Sequence, residues 1–394
     1  MEYAEDILYK LWLNILCVHN PMFINKYIEK YGSAEDIYNS DELYKALLSD
    51  LPLTMRLKAR RSLDSAKNLI QYSNDHGISV ISINDKRYPS KLAEVYAPPQ
   101  ILYVKGDIPD FNKLVCVSIV GSRNCSDYSR RFTYDLSNKL AKAGVFIISG
   151  MALGVDSSAH NGSLDAGSNT AAVLAGGVDV IYPKQNKKLY DKIVTSGAVI
   201  SERPPGTTGR GSFYRERNRI IAGLSNGVVI IEGELSSGTK LTANWAVSSN
   251  RDLFAVPGKP TDKGSELPNS LIKDSAKLVT SAEDILEEYI SVYPQQLKYG
   301  IDLINDNKQK KNTSVNTEDN NKYNFQVVPK PNFESFDDKQ RIILKYLYET
   351  KSAVHINDIS RECSIDMTEL SFLIIQLLMA KVIKEHPGEY YSIS

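Results

Sequence analysis

Apolar residues change their spacing along the chain, and each change marks a different kind of segment. Up to about residue 75 they recur every three to four positions. Leu8, Leu11, Leu13 and Ile15 give one helix, Pro21 opens another, Ser33 with Asp36 suits the cap of a third, and Leu57 to Tyr72 continues the same period. Gly77 to Ile83 then alternates apolar with polar, as a strand does, and Ile101 to Val104 is a second strand ended by Gly106. From Leu114 onward, short β-branched runs alternate with helical stretches. The runs are Val115–Val120, Gly144–Ser149, Thr170–Ala175, Val178–Tyr182, Ala198–Ser201, Gly227–Glu232 and Asp252–Val256. Continuous apolar runs of this length are expected where a strand is buried on both faces. Between the first two, Ser126 can cap a helix whose inner face carries Tyr128, Phe132, Leu136 and Leu140, with Gly144 as its stop.

This rhythm predicts an α/β chain: a Rossmann-like, doubly wound, mostly parallel sheet over residues 76–294. The front, 1–75, is expected to be a small helical domain of the sterile-alpha-motif or helix-hairpin-helix kind. It has no basic surface run and reads as a packing or partner module. Residues 295–335 are rich in Asn, Lys, Gln, Asp and Thr and carry too few apolar side chains to offset the entropy of ordering, so a flexible linker is expected there. Helical spacing returns at Ile342–Leu347, Ile356–Cys363 and Met367–Met379. Val382 to Ile393 then reads as a hairpin turning at Pro387-Gly388. Three helices and a hairpin predict a winged-helix domain over 336–394. Its third helix carries only Lys381 at its end, which leaves partner docking and DNA contact both open.

Composition narrows the functional classes. Lys plus Arg and Asp plus Glu both count 47 in the 394 residues, so any site for a polyanion must be a local patch. Cys17, Cys116, Cys125 and Cys363 are far apart and read as free thiols of a reducing compartment. Glu2, Glu5 and Asp6 stand where a signal peptide would need positive charge, and no apolar run is long enough to span a bilayer. A cytoplasmic protein without membrane contact is expected.

The chemistry collects at the strand ends, where ligands of doubly wound sheets bind. Gly121-Ser122-Arg123 follows the first buried run and precedes a helix N-terminus, a place for an anion and, by expectation, for phosphate. Arg203, Arg210, Arg215, Arg217 and Arg219 lie among glycines, Phe213 and Tyr214, a mixture suited to phosphates and stackable bases. Lys184 leaves another strand at the same edge, so Arg123, Lys184 and the arginine segment are expected to share one groove. Gly233 to Lys240 approaches a phosphate-loop pattern, but Thr239 and Lys240 stand in the reverse order, and no G-x-G-x-x-G follows the first strand. Asp156 and His160, four apart on a helix, can form a metal half-site, an acid/base pair or a structural hydrogen bond. Trp245, Ala246, Leu253, Phe254 and Val256 form an apolar cluster at the sheet's end that a second copy is expected to cover.

An ordered set of segments carries a resemblance. It comprises Ile119 to Arg123, Ser149 to Asp156 with Ala159-His160, Asp179 to Lys184, Glu202 with Pro204 to Gly206, and Glu216 to Ser225. Ser237-Gly238, Leu241 to Ala243, Phe254 to Gly258 and Leu278 to Leu286 complete it. Over about residues 77–290 the chain resembles the DNA-processing protein A family (DprA/Smf). The resemblance implies a cytoplasmic protein that binds incoming single-stranded DNA in natural transformation, loads the recombinase RecA and forms a homodimer through the Rossmann-like domain. It implies no catalytic residue, metal or cofactor. By position it marks Gly121, Ser122, Arg123, Lys184, Arg217, Asn218 and Arg219 as the DNA-binding residues. Tyr214-Arg215 departs from the family's Phe-Pro, Thr239-Lys240 from its Ser-Leu, and Asn250 replaces a glycine. The rival reading is an enzyme: related folds include nucleotide-cleaving phosphoribohydrolases, and Glu232-Gly233 with Ser237-Gly238-Thr239 can fill their parts.

Overall fold

The computed structural model describes residues 6–17, 21–297, 336–350, 354–380, 382–386 and 390–393. They form two compact units that divide between Asp284 and Ile285. The expected linker therefore lies outside the described residues except for 295–297.

The first unit begins with helices α1 (Asp6–Leu16), α2 (Met22–Tyr31), α3 (Ala34–Asn39), α4 (Asp41–Asp50), α5 (Leu53–Arg56) and α6 (Asp64–Asp75). Ser33 and Asp36 make the reciprocal capping box their spacing predicts. The Leu57–Tyr72 period is helical only from Asp64. Leu57 stands 69% exposed because it lies in the turn that follows α5 rather than along a buried face. Trp12 and Leu13 of α1 pack with Ile24, Ile37 and Leu47, whereas Ile7 and Leu11 of the same helix join Ala66 beneath the sheet. One helix thus serves two cores, so position 75 is no break in packing.

After α6 follow β1 (Ile78–Ser82), α7 (Ser90–Ala93), β2 (Ile101–Gly106), β3 (Cys116–Val120), α8 (Asp127–Lys142), β4 (Phe146–Ser149) and α9 (Val155–Asp165). Next come β5 (Thr170–Val173), α10 (Lys187–Ser196), β6 (Ala198–Ser201), α11 (Gly211–Gly223), β7 (Gly227–Ile230) and α12 (Gly238–Ser248). The unit closes with β8 (Asp252–Ala255), α13 (Glu266–Lys273) and β9 (Lys277–Leu278), and α14 (Glu283–Ile290) crosses the division. The strands form one sheet of nine in the order β1-β2-β6-β5-β4-β3-β7-β8-β9. β1 and β2 are antiparallel additions, and every pair from β6 to β9 is parallel. The register Val117↔Ile147 on one side of β3 and Ser118↔Val228 on the other fixes it at the centre.

Side chains alternate across β3. Cys116 and Val120 join the core under α7, α11 and α12. Ser118 faces the same way, and its hydroxyl donates to the Ile221 carbonyl at 3.0 Å, which satisfies the one polar group of that face. Two expectations are corrected. Val178–Tyr182 is no strand: Val180 N–H returns to the Gly177 carbonyl in a turn, and Val178 is apolar because it packs with Leu189 and Tyr190. Nor is β8 an edge awaiting a second copy. β9 pairs beside it, Ala246, Phe254 and Val256 are buried within the chain, and Trp245 and Leu253 pack on the same core.

In the second unit α15 (Asp338–Thr350), β10 (Val354–His355), α16 (Ile356–Cys363), α17 (Met367–Met379), β11 (Ile383–His386) and β12 (Tyr390–Ile393) follow one another. The strands pair antiparallel in the order β10-β12-β11 and close a core around Leu344, Ile359, Leu370, Ile374 and Ile383. The turn expected at Pro387-Gly388 lies outside the described residues.

Candidate functional site

The parallel part of the sheet reverses its order of addition at β3. From there the chain builds β4, β5 and β6 outward on one side, and β7, β8 and β9 on the other. At such a switch point the connections leave in opposite directions and open a crevice at the strands' carboxyl ends. Here the crevice is a cleft of about 510 Å³. The turn Gly121–Asn124 after β3 forms one wall, the segment Glu232–Thr239 after β7 forms the opposite one, and α11 supplies the rim. The first turn is tied to the second, since Ser122 N–H donates to the Glu232 carbonyl at 2.8 Å.

Two glycines are required by close approach. A Cβ on Gly121 would stand 2.7 Å from Val155 Cγ2, so the turn can lie flat on α9 only without a side chain. A Cβ on Gly150, which follows β4, would stand 2.4 Å from a guanidinium nitrogen of Arg217.

The residues marked in the sequence divide into three groups. Gly121, Ser122, Arg123 and Asn218 line the cleft. Arg123 is exposed, with its guanidinium 5.2 Å from the centre of the Tyr214 ring, and Tyr182 stands 6.1 Å beyond Tyr214. Lys184 is exposed in the short turn two residues after Tyr182 and does not itself line the cleft. Arg217 lines it from beneath as a buried group, donating to the Gly150 carbonyl at 2.8 Å and to that of Val173. Arg219 lies away from it, fully buried and paired with Glu202 at 2.5 Å. Arg203, also buried, pairs with Glu216 and lies 3.7 Å from the Phe213 ring centre. Of the arginine segment, Arg210 and Arg215 alone are exposed, and Arg215 reaches the cleft.

The expected phosphate place, the N-terminus of α8, is occupied by the protein itself. Ser126 Oγ accepts from Ser129 N–H, and the Glu232 carboxylate accepts from Ser126 N–H at 3.0 Å and from its hydroxyl at 2.9 Å. The α12 N-terminus across the cleft is different. Ser237 holds the N-cap position without a side-chain bond to the helix, and Ser237, Gly238, Thr239 and Thr242 all line the cleft. The sequence carried this signal as Ser236-Ser237-Gly238-Thr239, small residues at the start of a helix that follows a buried strand.

Asp156 and His160 do not bond to each other. Ala152 N–H donates to the Asp156 carboxylate at 3.2 Å, and His160 Nδ1 meets Thr170 Oγ1 at 2.9 Å. Burial raises the Asp156 carboxyl above its ordinary range against the pull of Arg217. Burial, helped by the Arg217 charge, lowers His160 to about 3, so the imidazole is neutral at physiological pH.

Over 208 residues the chain is 41% identical to the DNA processing protein DprA of Streptococcus pneumoniae, covering 53% of this chain and 73% of that one. Over 214 residues it is 39% identical to DprA of Bacillus subtilis, covering 54% and 72%. The solved S. pneumoniae DprA structure superposes with a TM-score of 0.60 at 32% identity, over 73% of this chain and 99% of that one. A Helicobacter pylori DprA structure, described for its single-stranded DNA binding mode, superposes at 0.50 and 28% identity, over 55% and 97%. Residues 79–290, the sheet with both walls of the cleft, match the model of the DNA recombination-mediator protein A family, and the chain belongs to that family.

Proposed function

We propose that this chain binds single-stranded DNA in the cleft at β3 and β7, without reading its sequence, and hands it to the recombinase RecA in natural transformation. The observation that carries the reading is the exposed Arg123 over Tyr214, with Tyr182 next in line. A cation beside two aromatic faces suits phosphates and unpaired bases of any kind. Arg123, Ser122 and Asn218 contact the strand here. Lys184 extends the positive surface beyond Tyr182, and Arg217 and Arg219 set the shape of the site from inside. The single-stranded DNA binding described for the H. pylori relative supports the choice of ligand.

RecA loading, the homodimer through the Rossmann-like domain and a cytoplasmic setting complete the proposal and rest on family membership. We read the front helices as a partner module and the second unit as a winged helix that docks protein rather than DNA. Its α17 exposes Phe372, Ile375 and Met379 and has no basic residue from Met367 to Met379. The protein acts as a binder and not as an enzyme. The phosphoribohydrolase alternative needs a free Glu232, and that carboxylate is spent on Ser126. Fluorescence anisotropy with an unstructured oligonucleotide and a blunt duplex of equal length tests the reading: clear preference for the single strand is expected, and equal affinity overturns it.

A further inference from the structure

Resting on that reading of the cleft, we propose that its phosphate-holding subsite is the N-terminus of α12, where Ser237, Gly238 and Thr239 offer an unfilled set of donors to a phosphate ester. α12 is an eleven-residue helix, long enough for its first N–H groups to bear a partial positive charge. Those of Gly238 and Thr239 donate to no group among the described residues. The side chains repeat the pattern. Ser237 Oγ is shut off from solvent and has no partner among the described residues. Thr239 and Thr242, one turn apart on the cleft wall, are 9% and 2% exposed, and neither hydroxyl bonds to another described residue.

Burying hydroxyls and N–H groups unpaired is unfavourable, and such groups normally find partners. Thr239 and Thr242 line the cleft beside the free N–H groups of the helix end, so the missing partner is a ligand rich in acceptors. A phosphate meets that need with several acceptor oxygens, and Arg123 and Arg215 supply charge from the facing wall and the rim. The acidic groups of the cleft do not oppose it equally. Glu232 is neutralised in part by its cap on α8, Asp156 lies beside Arg217 with its proton held more readily, and Glu234 is exposed. The cleft's 510 Å³ exceeds the volume of one phosphate and leaves room for the attached sugar and base. The phosphate belongs either to a strand's phosphodiester or to a free mononucleotide.

Three substitutions at two positions test the subsite. A Cβ on Gly238 meets nothing within 4 Å, and a carboxylate at the first position of a helix favours folding. Gly238→Asp should therefore keep or raise the melting temperature while lowering affinity for oligothymidylate by roughly a hundred-fold. Thr239→Val, nearly isosteric, should weaken binding roughly ten-fold, and Thr239→Ser should restore it. Oligothymidylate, thymidine 5′-monophosphate and inorganic phosphate are each titrated into wild type and variants. Loss confined to the oligonucleotide supports the subsite and assigns it to the strand. Loss of monophosphate binding in a protein that ignores the oligonucleotide supports the subsite and overturns the single-strand reading. If wild type binds the oligonucleotide and all the variants match it, the subsite is overturned while the strand reading stands. If wild type binds none of the probes, both fall.

Discussion

Arg123 and Arg219 belong to the same sheet edge and have opposite lives. Arg123 stands in a turn whose backbone is held by the Ser122–Glu232 bond, with its side chain free over Tyr214. Arg219 sits on α11 with no exposure, paired to Glu202, and Arg203 pairs to Glu216 in the same way. These two pairs pin α11 to the end of β6. The lesson is that a cluster of arginines in sequence is not a cluster of cations in space. Helical periodicity turned Arg217 and Arg219 inward with Phe213 and Ile220 and left Arg215 outside. Charge available to a polyanion comes from the exposed set, and the buried set spends its donors on keeping the wall in place.

The sharpest break of this contrast is Arg219→Ala. Removing one partner strands the Glu202 carboxylate in the core, and a loss of about 3–5 kcal/mol in chemical denaturation is expected. A stable Arg219→Ala variant that binds DNA poorly would show that this arginine serves the ligand after all. Arg123→Ala should do the reverse. Its denaturation midpoint should stay near that of wild type while single-strand affinity falls roughly ten- to a hundred-fold. The slope of log K against log salt should flatten by about 0.7, which a folding defect cannot mimic. Lys184→Ala, further from the cleft, should flatten the slope similarly and lose less affinity.

A further effect depends on pH. His160 is neutral in the fold down to about 3, but takes a proton near its ordinary 6.5 once unfolded. Between those values the unfolded chain binds more protons, so stability present above 6.5 should decline as pH falls, by at most about 1.4 kcal/mol per pH unit. Asp156, whose carboxyl is raised, opposes this in the acid part of the window, because the folded chain keeps that proton longer. Urea midpoints should fall from about pH 7 to 4 in wild type and less steeply in His160→Gln. Equal slopes would remove His160 from the account.

The sheet was legible because its central strands are buried on both faces and therefore mostly apolar. β3, β5, β6 and β7 lie where their β-branched runs predict. Val178–Tyr182 misled for the same reason, since an apolar loop packed under α10 has the composition of a strand. The cleft was half legible. The turn at Gly121 was visible as strand-then-glycine, but whether an arginine points in or out depends on helix phase and on distant partners such as Glu202 and the Val173 carbonyl. The identity of the filled helix end was hidden too, because Glu232 lies 106 residues from Ser126 and no local pattern announces their bond.

The fit of Arg217 against Gly150 also bears on how this family can vary. The guanidinium lies where any larger residue at 150 would put its first carbon, so position 150 cannot enlarge while Arg217 stays in place. A methyl at 150 should be harmful beside the arginine and close to harmless once position 217 carries a shorter side chain. The harm of the double change should then fall well short of the sum of the single ones. The order of exchange is therefore fixed: position 217 has to shorten before position 150 can enlarge.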